Sequence, residues 1–157
     1  MTEYSFNSLL VPVDFSDASE NAFLQSQRLV GGDEPSIIAL HVIDAALVEL
    51  MSANGLGDPD ELISRLRQGS EERLHRFAKA KDANIQITRV VSVGIPFLEI
   101  IRKSEDFAVD AIVMGKVGTG GRFEKLLFGS TAERVLRGTM RPVIVYPKPA
   151  TADERAE

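Results

Sequence analysis

Apolar residues in this chain come in short runs rich in β-branched side chains. Each run is followed by a segment whose apolar positions recur three or four residues apart. That alternation belongs to a parallel sheet covered by helices on both faces. Ser8 to Val13 (SLLVPV) reads as the first strand. A helix from Asp17 to Val30 follows, with Ser16 as its N-cap, Asp17 and Glu20 in its first turn, and Ala18, Ala22, Leu29 and Val30 on one face. Gly31 and Gly32 stop it. Ser36 to Val42 (SIIALHV) is apolar enough to be a strand buried on both faces.

The stretch from Ile43 to Gly57 reads as a loop with some helical potential in AALVELM. A clearer helix then runs to about Ala80, with Asp58 as N-cap, Pro59 at its first position and Glu61 three residues after the cap. Gly69 inside it costs about 1 kcal/mol relative to alanine. Asn84 to Val93 predicts a third strand at a wetter edge, and Pro96 opens a helix with Phe97, Ile100, Ile101 and Phe107 as its buried stripe. Val109 to Met114 is a fourth strand, Thr131 to Gly138 a last helix, and Pro142 to Tyr146 a fifth strand. The order predicts one α/β domain over residues 1–147: a doubly wound, Rossmann-like, five-stranded parallel sheet of order 3-2-1-4-5 with helices on both faces. Residues 148–157, rich in Pro, Ala and charge, read as a disordered tail. In that strand order a crevice opens above the C-terminal ends of strands 1 and 4, where ligands of such sheets bind.

Composition narrows the chemistry. The 157 residues are 44% hydrophobic and 26% charged, with no apolar run long enough to span a membrane. A net charge of −5 argues against a nucleic-acid surface, and zero cysteines exclude disulfides, thiolate metal sites and thiol catalysis. The expected location is the cytoplasm, with no membrane insertion.

Five of the twelve glycines fall between Gly115 and Gly129, at the predicted crevice. A slack surface loop is one reading of them. The other is a phosphate cradle: Gly115, Gly118 and Gly129 would admit phosphate oxygens close to backbone amides, with Ser130 and Thr131 as hydroxyl donors at a helix N-terminus. Ser130 and Glu133 also have capping-box spacing. Walker A and dinucleotide fingerprints both fail, because Val117 follows Lys116 and position 123 is Phe. Lys116, Arg122 and Lys125 could offset phosphate charge or simply be solvated. His41 reads as a packed or hydrogen-bonded histidine, His75 as exposed, and no GxSxG or HExxH nucleophile or metal motif is present.

MGKVGTGGRFEKLLFGSTAERVLRGTMRPVIVYPK, with LLVPVDFSDASENAF, HVID and GIPFLEII, resembles the universal stress protein family from about Ser8 to Pro147. The resemblance implies the adenine nucleotide alpha hydrolase type of fold. It also implies the ATP-binding branch, whose loop reads glycine, two residues, glycine, nine residues, glycine, then Ser or Thr. Gly115, Gly118, Gly129 and Ser130 match it, with Thr131 following. Ten residues, Thr119 to Phe128, stand where the family has nine, and Gly120-Gly121 offers a turn to absorb the extra one.

By the same resemblance Asp14 contacts the adenosine end and the backbone of Val42 reads adenine, while Pro12, Val13, Met114 and Lys116 complete the site. The implied ligand is ATP, or ADP or AMP, with Mg2+ carried by the phosphates and no direct protein metal ligand. Hydrolysis would be slow at most. The implied role is regulation in a stress response, as a homodimer joined through Pro142–Tyr146, with a transporter or regulator as a protein partner. The alternative is a nucleotide-free dimeric scaffold.

Overall fold

The computed structural model describes residues 6–116 and 129–149. Its elements run β1 (Ser8–Pro12), α1 (Asp17–Leu29), β2 (Ser36–Asp44), α2 (Ala45–Ala53), α3 (Pro59–Phe77), β3 (Gln86–Gly94), α4 (Pro96–Asp106), β4 (Ala111–Gly115), α5 (Ser130–Gly138) and β5 (Val143–Tyr146). All pairings are parallel and the order is β3-β2-β1-β4-β5, as predicted.

Side chains alternate across the sheet, and the two sets build two cores. Leu9, Val11, Val13, Ile37, Ala39, Ala111 and Val113 face one side, where Ala22 and Phe23 of α1 and Leu74 of α3 cover them. Leu10, Ile38, Leu40, Ile112 and Met114 face the other, under Ile100 of α4 and Ala132 and Val135 of α5. A smaller cluster of Ile43, Val48 and Leu62 seats α2 against α3. β3 forms one edge, and Gln86, Thr88 and Arg89 are exposed there.

Four expectations are corrected. The stretch read as a loop from Ile43 contains α2, because the Asp44 carboxylate accepts from the Ala46 amide at 2.9 Å and caps a run of good helix formers. Asp44 is also the last residue of β2, so the strand passes into the helix without a connecting loop.

The third helix ends at Phe77 instead of near Ala80: the Arg89 guanidinium donates to the Ala78 carbonyl and draws it out of the helical ladder. Phe107 is not in the buried stripe. It caps α4 and is 40% exposed, since Ala108 turns the chain at φ 49° and buries Val109 instead. Finally, Ser130 is not a helix cap. Gly129 holds that position with no side-chain bond, and Glu133 pairs with Arg137 at 2.8 Å.

Asp110, just before β4, accepts from the Asn7 and Ser8 amides at 2.8 and 2.9 Å. It ties the start of β1 to the segment entering β4, and so helps hold the two strands that flank the crevice.

Candidate functional site

β1 is short and β2 is long, and the difference opens a cavity. Pairing between them ends at Pro12 and Leu40, with one more bond from the Val13 amide to the Leu40 carbonyl at 2.8 Å. β2 continues to Asp44. Because backbone groups alternate sides along a strand, the N–H and C=O of Val42 point the same way as those of Leu40, toward a place that β1 has already left.

A cavity of about 350 Å³ lies there, within the range of small-molecule sites. Pro12, Val13, Asp14, Val42, Met114, Gly115, Lys116, Gly129, Ser130 and Thr131 all line it, so ten residues named from the sequence meet in one place. Gly118 and the insertion at Thr119–Phe128 lie outside the described residues, as do Arg122 and Lys125.

The strand order gives the cavity two unlike ends. Leu40, Val42, Pro96 and Ile100, from β2 and α4, make an apolar notch on one side of β1. On the other side Lys116 meets the first turn of α5. The Gly129 amide donates to the Lys116 carbonyl at 2.9 Å, which joins the end of β4 to the start of α5 at the cavity wall. The Glu133 amide is the first to bond back within α5, at 3.0 Å to the Gly129 carbonyl. The amides of Ser130, Thr131 and Ala132 precede that bond and carry the positive end of the helix dipole, and all three residues line the cavity.

Asp14 stands between the ends. Its carboxylate accepts from the Ser16 amide at 3.0 Å and from the Ser16 hydroxyl, and that hydroxyl in turn accepts from the Ser19 amide as the N-cap of α1. Ser16, Ser19, Leu40, Pro96, Ile100 and Ala132 also line the cavity, though the sequence marks none of them as a site residue. Ser16 caps α1 as its spelling predicts, and its second role depends on the turn at Asp14.

His41 lines the cavity as a hydrogen-bonded histidine: its Nδ1–H donates to the Val13 carbonyl at 2.7 Å, which fixes the tautomer. Burial lowers its pKa from the ordinary 6.5; the bond to Val13 opposes this, while Arg73 adds to it and Asp14 resists it. The unfolded chain therefore takes up this proton at a higher pH than the folded protein does. Stability from this group is full above about pH 6.5 and declines as pH falls from there through the lower folded value. Thermal melts from about pH 7 to 5 are expected to decline less steeply for His41→Gln than for the wild type, and equal slopes would remove His41 as the source.

As to what could be held here, an apolar notch beside open backbone groups suits a flat heterocycle, and a helix N-terminus with a lysine suits an anion. Asp14 is the one carboxylate among the described lining residues, and no cluster of three or more metal-ligating side chains occurs among the described residues. Phosphates fit this donor set; a metal would need the phosphates to complete its shell.

The sequence profile of the universal stress protein family matches residues 5–147. The chain belongs to that family. Universal stress protein MJ0531 of Methanocaldococcus jannaschii is 32% identical over 149 residues, covering 94% of this chain and 85% of that protein. Universal stress protein MJ0577 of the same organism is 28% identical over 156 residues, covering 91% and 96%. The solved structure of MJ0577 superposes with a TM-score of 0.79, covering 92% of this chain and 98% of that one at 27% identity. A universal stress protein from Archaeoglobus fulgidus, solved in complex with dAMP, shares the fold at a TM-score of 0.58 and 21% identity, covering 88% and 96%.

Proposed function

We propose that this universal stress protein binds ATP, or a related adenine nucleotide, in the cavity between β1 and β4 and works as a regulatory module in a cytoplasmic stress response. One observation carries the reading: three unlike recognition elements share a single cavity. The backbone edge of Val42 beside an apolar notch suits adenine. Asp14, between the ends, suits the ribose side, and the α5 N-terminus with Lys116 suits phosphates. Bound Mg2+ would supply charge neutralisation to those phosphates, with Asp14 within the same cavity.

The chain's own residues bind and orient in this reading. Asp14 and His41 are both engaged, with Ser16 and with the Val13 carbonyl, which favours holding the nucleotide over turning it over. We further propose a homodimer through β5, an edge strand whose four residues are all half-exposed and uncharged, next to Met140 at 93% exposure. Zero cysteines suit a reducing compartment.

The test is mass spectrometry of small molecules released by denaturing the purified protein, followed by calorimetry with ATP and magnesium. Co-purified adenine nucleotide, or a saturable ATP isotherm, supports binding, with turnover below about 1 per second. An empty protein that gives no heat with ATP decides for the nucleotide-free scaffold. The light-scattering mass of the same preparation reads the dimer, which a monomeric value removes.

A further inference from the structure

Phe15 follows Asp14 and holds φ at 64°, a left-handed backbone that a bulky L residue rarely adopts. Glycine would take this conformation freely. The phenylalanine ring, however, is gripped on several sides. It lies 4.7 Å from the His41 ring, centroid to centroid at 39°, and meets Phe77 edge-on at 5.7 Å. The Arg73 guanidinium sits 4.0 Å from its centroid, at cation–π distance. Backbone strain of this kind persists only where the surroundings over-determine it, and it gathers at functional sites.

The grip has a direction. His41 holds the ring of Phe15 and also donates to the Val13 carbonyl, so both residues flanking Asp14 are fixed by one imidazole. α3 closes the other side of the ring through Arg73 and Phe77. Phe15, Arg73 and Phe77 are not among the residues lining the cavity, so whatever they do for a ligand they do through the Val13–Ser16 turn and through His41, which lines the cavity.

We propose that Phe15 and Arg73 are positioning residues for the nucleotide site: their stack sets the strained turn that aims Asp14 into the cavity. This rests on the nucleotide reading above and deepens it by making α3, a helix outside the cavity wall, a determinant of affinity. Preorganising the turn before the ligand arrives spares that ordering on binding. Packing is the plainer role, since Phe15 also contacts the core around Leu9 and Phe23. Packing alone, though, predicts effects on stability and none on the affinity of folded protein.

The test compares ATP affinity by calorimetry, at a temperature where every protein is fully folded, with the melting temperature of each ligand-free protein. Phe15→Gly adopts the left-handed backbone without strain but loses the ring, and is expected to weaken ATP binding about tenfold. Arg73→Gln is expected to weaken it about threefold, with Arg73→Lys and Phe15→Tyr close to wild type because each keeps the stacked pair. Phe15→Gly and Arg73→Gln proteins that melt lower yet bind ATP as tightly as the wild type overturn the proposal and leave packing. If Phe15→Gly does not fold, the exposed Arg73 carries the test, and equal affinity for Arg73→Gln and wild type overturns it. A wild-type protein that binds no ATP overturns the nucleotide reading itself, and the clamp's role with it.

Discussion

Gly129→Asp is expected to stabilise the free protein while weakening ATP binding at least about a hundredfold, two effects of opposite sign from one side chain. Gly129 is the N-cap of α5, at φ −61° and ψ 151°, and makes no side-chain cap bond. Any L residue tolerates that backbone. An aspartate there can accept from the amides of the first turn and complement the helix dipole, a gain of roughly 0.5–1 kcal/mol over glycine. The same carboxylate would occupy the amides assigned to phosphate and set a negative charge beside another. At about 4 Å and an effective dielectric near 20, each such pair costs roughly 4 kcal/mol. Thermal melting and calorimetry on one preparation check both halves. Gly129→Ser, which caps without charge, isolates the electrostatic part. A raised melting temperature with unchanged ATP affinity would sink the phosphate role of α5.

Gly115→Ala is expected to lower the melting temperature whether or not nucleotide is present. A β-carbon built on Gly115 would lie 2.8 Å from the Ala18 β-carbon, 2.9 Å from the Ala18 carbonyl carbon and 3.0 Å from the Ser19 nitrogen. Two of those three atoms are α1 backbone and cannot rotate away. Overpacking of this kind costs about 1–3 kcal/mol. For a chain of this length that is a fall of roughly 3–10 °C. Ala18→Gly as a second substitution should not restore stability, because the backbone contacts remain. An unchanged melting temperature for Gly115→Ala would show that α1 moves aside at little cost. The sequence offered Gly115 only as an opening for phosphate; the structure supplies a separate reason for it, the close approach of α1 to the end of β4.

The elements that sequence pattern located best are those with a strong period or a strong cap. β1, β2 and β4 are continuous apolar runs, and α3 carries its own start signal in Asp58-Pro59. α2 escaped because AALVELM is apolar at every position but Glu49 and gives little face to detect, while its cap, Asp44, doubles as the last residue of a strand. Phe107 escaped because its spacing continued the α4 stripe beyond the point where Ala108 turns the chain. Ser130 has the chemistry of a cap but stands one residue too late to be one.

Most of the candidate site was legible because its residues sit at strand ends and at one helix start, which local pattern marks. Pattern alone nominates Gly129 and Ser130 and sets Asp14 at the end of the first strand, while the roles of Asp14 and Val42 are implied by the family resemblance; the strand order predicted from the element succession places all four near one crevice. Their meeting in a common wall is a matter of lengths: β2 outruns β1, and the Gly129 amide reaches the Lys116 carbonyl. The Phe15 stack lay beyond reach, since it joins residues 26 to 62 positions apart on β2 and α3, and nothing in the spelling of DFSD states that Phe15 is left-handed.

By itself, then, the sequence determined the five strands and four of the five helices, the parallel alternation and the residue types offered at the crevice. These follow from period, capping and composition, which act over a few residues. The tertiary structure decided why Gly115 must lack a β-carbon, how Asp110 ties the start of β1 to the entry of β4, and what holds Asp14 in place. Those depend on contacts between residues up to 103 positions apart, whose distances come into existence only when the sheet closes and the helices settle on it.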